Sequence, residues 1–304
     1  MQTVKLSEIN ERSRSDAVGF VQECEDQYAK TIEQVARQVL DAKKPILLLN
    51  GPSSSGKTTT ARRIEHQLEC MGVQTHSISM DDYYYSRHAY VIPTDEEGRM
   101  DLESPLCMDL PMLSEHLKQL AVGESIEVPH FDFMTRCRTE ERTEIRLGKD
   151  EVAVIEGIHS LNDVITGGLK DSSIGIYMAV GSQLQVTPSK LIAPHQLRFI
   201  RRAVRDCYFR NSPVSETIDM WRSIRRGERL YVHPYIKNAM AHINTYLPYE
   251  DCFLAGILKQ WLLGCESLLE QAGLSDVAEV LDQIEQISDK TLIPQNSLMR
   301  EFIG

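Results

Sequence analysis

No run in this 304-residue chain approaches the roughly 20 apolar residues that a membrane span requires. Basic charge is scarce. Lys and Arg total 33 against 44 Asp and Glu, a formal net charge of -11. That balance argues against a general binder of nucleic acid or of anionic membranes. Cysteine pairs are missing too. The seven cysteines, at 24, 70, 107, 137, 207, 252 and 265, are widely spaced, with no C-x-x-C and no zinc pattern. An odd, unpaired set fits reduced thiols in a cytoplasm. The polar, acidic start, Met1-Gln-Thr-Val-Lys-Leu-Ser-Glu8, carries no signal-peptide pattern, and no internal repeat is visible. What remains is ordinary globular composition, 42% hydrophobic and 25% charged, in a length that suits one or two domains.

Against this background one stretch stands out. Gly51-Pro-Ser-Ser-Ser-Gly-Lys-Thr58 fits G-x-x-x-x-G-K-[ST] at every defined position. The apolar run Ile46 to Leu49 before it reads as a buried strand, and Thr59 to Leu68 after it reads as helix. Gly51 and Gly56 permit backbone angles closed to other residues. The amides around Ser53, Ser54, Ser55 and the helix start then face phosphate oxygens. Lys57 supplies a point charge, and Thr58 a hydroxyl for Mg²⁺.

Residues 1–44 read as an N-terminal helical arm, because Phe20, Cys24, Tyr28, Ile32, Val35 and Val39 recur at helical spacing. Pro45 introduces the first strand, and Gly72 ends the helix after the loop. Residues 75–79 predict a second strand running into Met80-Asp81-Asp82-Tyr83-Tyr84-Tyr85. Residues 86–108 are loop-rich, and 110–120 predict an amphipathic helix stopping at Gly123. Residues 125–147 alternate polar and apolar as a hairpin does. Further buried strands are expected at 151–155, leading into Glu156-Gly157, and at 174–180; from His195 onward the chain reads as mostly helical. Alternating strands and helices imply a parallel sheet with helices on both faces, and the hairpin is an insertion. In the C-terminal part Phe253, Ile257, Leu258, Trp261, Leu262, Cys265, Leu268 and Leu269 form a helical stripe suited to helix packing or an oligomer contact.

Three further features bear on chemistry. Glu156 closes a buried strand, either as a carboxylate for Mg²⁺ and its waters or as a solvated strand-end acid. Asp81 and Asp82 follow the second strand, where open α/β sheets bind ligands. One of them could take a proton from an attacking hydroxyl, and adjacency alone does not choose between them. Residues 196–230 concentrate arginine, with Arg198, Arg202 and Arg205 on one helical face. Such a face suits phosphate oxygens; a solvated helix paired with acids elsewhere is the alternative.

Five stretches in order resemble the uridine kinase and phosphoribulokinase family, closest to its bacterial uridine/nucleoside kinase-like branch. They are Gly51 to Thr59, Ile78-Ser-Met-Asp-Asp-Tyr-Tyr84, Val128-Pro-His-Phe-Asp-Phe133, Val154-Ile-Glu-Gly-Ile158 and Arg201-Arg-Ala-Val-Arg-Asp206. The tail from Ile293 to Ile303 is similar to the end of a bacterial subgroup of nucleoside kinase-like proteins. The resemblance implies an α/β P-loop NTPase fold, a parallel sheet flanked by helices with a small β-hairpin insertion. It also implies a kinase core over 45–230 with a lid over 190–212, and a helical region over 231–304 packed on that core.

It implies ATP and Mg²⁺ as well. Asp81 matches the catalytic aspartate; Lys57, Arg202 and Arg205 would stabilise the transferring phosphoryl group. Gly51, Ser53, Ser54, Ser55, Gly56, Lys57, Thr58, Thr59 and Arg210 would bind ATP. Thr58, Glu156 and Asp81 would serve the metal. Tyr84, Glu103, Phe131, Arg136 and Arg202 would bind the acceptor. Glu103 stands where uridine kinases hold an Asp, Phe131 where they hold a Tyr, and Arg136 where they hold a His; Ser212 replaces a lid arginine. The expected partner is a nucleoside or another small hydroxyl-bearing substrate, with no nucleic acid, no membrane and an optional homo-oligomer. A sugar or sugar-phosphate kinase, and an ATP-binding regulatory protein without turnover, are the alternatives.

Overall fold

The computed structural model describes residues 2–163 and 167–304. The strands are β1 (Gln2–Lys5), β2 (Ile46–Asn50), β3 (Thr75–Ser79), β4 (Ile126–Asp132), β5 (Cys137–Ile145), β6 (Val152–Glu156), β7 (Ser173–Ala179), β8 (Ser182–Thr187), β9 (Lys190–Ile192) and β10 (Ala241–Asn244). The central sheet has the order β10-β7-β2-β6-β3, and every pair in it is parallel. β2 and β6 lie inside it, which is why Ile46 to Leu49 and Val152 to Ile155 are unbroken apolar runs. Leu49 and Ser79 both register with Glu156, so the phosphate loop, Asp81 and Glu156 leave the sheet at the same edge.

The pleat sends alternate side chains to two cores. Leu47, Leu49, Val154 and Ile176 meet the N-terminal helices, helix Lys57–Cys70 and the C-terminal helices. Ile46, Leu48, Ile78 and Ile155 meet helix Leu110–Ala121 and the β4–β5 hairpin, the insertion expected at 125–147.

The N-terminal segment differs from a purely helical arm. It opens with β1, which pairs in parallel with β8. Helices Leu6–Ser15 and Ala17–Ala42 follow, and Asp16 between them accepts from the Gly19 amide. Phe20, Tyr28, Ile32, Val35 and Val39 are buried as their spacing predicts. Polar bolts fix the long helix to helix Lys57–Cys70: Tyr28 Oη lies 2.6 Å from Thr60 Oγ1, and Arg63 donates to Glu25 at 3.1 Å.

Two other expectations need correction. The region read as helical after His195 contains β10, the edge strand of the central sheet. Four residues with one buried apolar side chain carry no strand periodicity; backbone pairing with β7 makes the strand. The segment 190–212, expected to be a lid, is β9 followed by helix Pro194–Phe209, whose Phe199, Ile200, Ala203 and Val204 are fully buried. Those side chains fill the core, and within and beside the segment only 208–213 is mostly exposed. The C-terminal stripe is consumed by packing. Phe253, Leu258, Leu262 and Leu269 are buried in the main core, with Ile257, Trp261, Cys265 and Leu268 against it. Among the described residues no helix is long and apolar enough to cross a membrane.

Candidate active site

The loop between β2 and helix Lys57–Cys70 is held in a conformation few residues could share. Gly56 has φ 86° and Ser54 has φ 59°. A Cβ on Gly51 would overlap the Met178 carbonyl oxygen and lie 2.7 Å from Ser55 Oγ. Gly51→Ala is therefore expected to cost about 1–3 kcal/mol of stability, because backbone of β7 cannot yield as a side chain could. Chemical denaturation of the two proteins measures this. Ser54 Oγ and Ser55 Oγ are buried and hydrogen-bond to no protein atom among the described residues. Buried hydroxyls call for partners, and a phosphate chain on the loop would supply them. Lys57 Nζ donates to Pro52 O at 3.2 Å. Burial lowers its pKa, against the opposing pull of Glu156, Glu301 and Asp81.

Three carboxylates face this ammonium. Ser79 Oγ donates to Glu156 Oε1 at 3.1 Å and accepts from the Asp81 amide at 3.4 Å. Burial, reinforced by the charge of Glu156, raises Asp81 to about 6; Lys57 and Arg210 act in the other direction. Asp82 has a different job. Residues Met80–Tyr83 form a 3-10 turn, and Asp82 Oδ1 accepts from the Phe131 amide at 3.1 Å. The neighbours have different surroundings: Asp82 fastens the hairpin, and Asp81 faces Lys57 and Glu156. Gly157 allows the close approach, since a Cβ there would lie 2.7 Å from the Met80 side chain.

The arginine face is buried rather than solvated. Arg198 Nη1 donates to Ser53 O at 2.8 Å, and Nη2 to Glu228 at 2.6 Å. Arg202 Nη1 donates to Ser53 Oγ at 2.6 Å. Arg202, Arg205 and Arg210 all converge on Asp206, at 3.1, 2.7 and 3.5 Å. Three guanidinium groups around one carboxylate leave a surplus of positive charge beside the loop. Burial and the neighbouring Arg205 lower Arg202 to about 10, despite Asp206. Elsewhere the arginines are spoken for or turned outward. Arg225 pairs with Glu228, Arg226 with Asp101, and Arg222 and Arg229 are exposed. Ser212 hydrogen-bonds Glu216 rather than joining the arginine group.

On the other side lie the acceptor candidates. Tyr84 packs its ring against Phe131 and Phe133 at 5.7 and 6.4 Å. Its hydroxyl is pushed well up by burial and by Asp81 and Glu103. Burial raises Glu103 to about 7, against Arg202 and Lys57. Gly227 makes room for Glu103, because a Cβ there would overlap Glu103 Cβ. Asp101 anchors the same loop by accepting from Arg226 Nη1 at 2.9 Å and Tyr231 Oη at 2.7 Å. Arg136 makes none of these contacts among the described residues. It lies exposed at the hairpin turn with φ 56°, its carbonyl accepting from the Arg87 amide. Sequence reasoning assigned no role to Arg138, which donates to the carbonyls of Tyr83 and Tyr84 at 2.7 and 2.9 Å and holds the hairpin on the Asp81 turn. Phe133, one residue beyond β4, meets Phe131 edge-on at 5.2 Å.

Comparison with known proteins places the chain in a family. The model of the Phosphoribulokinase / Uridine kinase family matches residues 46–250. A uridine kinase of Bacillus pumilus is 31% identical over 186 residues, 60% of this chain and 78% of that one. A uridine kinase of Oceanobacillus iheyensis is 30% identical over 195 residues, 63% of this chain and 82% of that one. The solved structure of a possible uridine kinase from Bacillus stearothermophilus covers 70% of this chain and 96% of its own, with 19% identity and a TM-score of 0.46. The chain belongs to the phosphoribulokinase/uridine kinase family of P-loop kinases, phosphotransferases with a hydroxyl acceptor.

Proposed function

We propose that this kinase moves the γ-phosphate of ATP to the 5′-OH of a nucleoside, with uridine and cytidine as the first candidates. The observation that carries the reading is the juxtaposition of Asp81, facing Lys57, with the Tyr84–Phe131–Phe133 aromatic group. A flat aromatic wall suits a base, and Phe131 can stack though it lacks a hydroxyl. Glu103 would accept from ribose hydroxyls. Asp81 would orient the acceptor hydroxyl and take its proton, and Lys57 with Arg202 and Arg205 would meet the charge on the transferring group. The donor set fits Mg²⁺. Thr58, Glu156 and Asp81 offer only oxygen, the donor type that Mg²⁺ takes. Thr58, Glu156 and Asp81 would hold the ion, and it would supply positive charge against the phosphates. The sugar-phosphate alternative loses part of its motivation, because Arg225 and Arg226 are paired with acids. The free cysteines fit a reducing cytoplasm.

The deciding assay is ADP release with ATP across a panel of nucleosides and sugar phosphates. Stimulation by nucleosides supports the reading; stimulation by sugar phosphates alone, or by neither class, overturns it. The same assay has an expected pH dependence. Asp81, with its pKa near 6, must be ionised to act as base. The value of kcat should therefore level off above about pH 7 and fall about tenfold per unit below 6. Glu103, near 7, accepts hydroxyls best when ionised, so the acceptor KM should rise as pH falls through 7. A kcat that does not fall between pH 6 and 5 counts against Asp81 as base.

A further inference from the structure

The C-terminal tail, outside the segment that matches the family, reaches the phosphate loop. Leu298, Met299 and Phe302 are fully buried in the main core. Leu298 packs so closely on the loop that a Cβ on Gly56 would overlap it, and Phe302 lies over the Arg201 guanidinium at 5.1 Å. The tail is thus fixed by its apolar side chains. Between them it presents one carboxylate. Glu301 Oε2 accepts from the Thr59 backbone amide at 3.3 Å and from Thr59 Oγ1 at 3.1 Å. Those donors lie in the first turn of the helix after the loop, where an anion is favoured by unpaired amides and by the helix dipole. The charge of Glu301 is felt at Lys57 and Arg210.

A triphosphate on the loop amides, with its terminal phosphate toward Asp81, would bring another of its phosphates to the first turn of the helix, where Thr59 lies. A phosphate at that amide would meet the like charge of Glu301 at close range. Beside Thr59 is a cavity of about 510 Å³, lined among others by Arg62, Arg63, Gln295 and Glu301. It gives the short Glu301 side chain room to turn, and Arg62, exposed on its wall, is a partner to turn toward. We propose that Glu301 is a donor-site residue: its carboxylate stands in for a phosphate at Thr59, swings into the adjoining cavity when the nucleoside triphosphate binds, and so sets the affinity for the donor. The proposal rests on the kinase reading above.

The test uses full-length Glu301→Ala and Glu301→Gln, because removing the tail would empty the core. Calorimetric titration with ATP and Mg²⁺, and separately with inorganic tripolyphosphate, reads the competition directly. Loss of a charge-assisted contact at the shared amide should tighten both ligands about tenfold in Glu301→Ala, and less in Glu301→Gln. The KM for ATP should fall with it while the acceptor KM stays constant, a split that mere loosening of the tail would not give. ATP affinity unchanged or weaker in both variants overturns the proposal. If the wild-type chain binds no ATP, the kinase reading itself fails and the proposal falls with it; if wild type binds and the variants match it, only the role of Glu301 falls.

Discussion

Asp81→Asn is expected to lower kcat by about 10²–10⁴-fold while ATP binding persists. The substitution keeps the shape of the side chain and removes its basicity. Asp81 sits at the carboxyl end of β3, after a strand whose last residue registers with Glu156. The Ser79 hydroxyl contacts both the Glu156 carboxylate and the Asp81 amide, so the local backbone does not depend on the Asp81 charge. ATP is expected to be held by the loop and Lys57, which the substitution leaves in place. Folding supplies a control with a definite sign. Burial and the charge of Glu156 raise Asp81 from 3.8 to about 6. A raised carboxyl pKa contributes stability below the unfolded value and loses it as pH rises through the folded value. Above pH 6 the ionised Asp81 is therefore a cost that Asn does not carry, and the variant should be at least as stable as wild type there. A variant that melts lower at pH 8 would mean that lost turnover reports lost structure. Wild-type kcat in a well-folded variant would remove Asp81 from the chemistry.

The largest effect on stability is expected at Arg201. Its side chain is fully buried, and its Nε and Nη2 donate to Glu250 Oε1 and Oε2 at 2.7 and 2.6 Å. Nη2 also donates to Thr245 O at 2.5 Å, and Nη1 to Thr245 Oγ1 at 3.2 Å and Ser55 O at 3.5 Å. One guanidinium thus joins the phosphate loop, the end of β10, helix Glu250–Trp261 and, through Phe302, the tail. Arg201→Met leaves Glu250 buried without its counter-ion, which should cost about 3–5 kcal/mol in denaturant unfolding. Arg201→Met with Glu250→Leu removes both charges, and most of that loss should return. If the single variant loses less than about 1 kcal/mol, the pair is not a keystone. If the double variant is no better than the single one, the other polar contacts of Arg201 carry the effect.

The phosphate loop was readable from residues 51–58 because it is built by consecutive backbone, and its glycines and lysine are fixed by local geometry. The apolar runs of β2 and β6 were readable for the same kind of reason, since a strand buried on both faces needs no alternation. Helix Ala17–Ala42 showed its stripe directly. The order of motifs was enough to indicate the family.

Other features depended on partners distant in the chain. β1 and β10 are short and carry little periodicity; they become strands by pairing with β8 and β7. Asp81 and Asp82 are the same residue type in adjacent places, and the hairpin amide of Phe131 is a contact that only Asp82 makes. The arginines of helix Pro194–Phe209 gave a face but not its surroundings, and burial turned an expected lid into core. Glu301 is one acid in a C-terminal tail until the tail docks and brings it to Thr59, 242 positions earlier. By itself the sequence determined the chemistry that contiguous residues carry: a loop for phosphates, strands that end in carboxylates, a helix lined with arginine. The tertiary structure alone decided which charges face one another, because that depends on burial and on contacts between segments that no local spacing encodes.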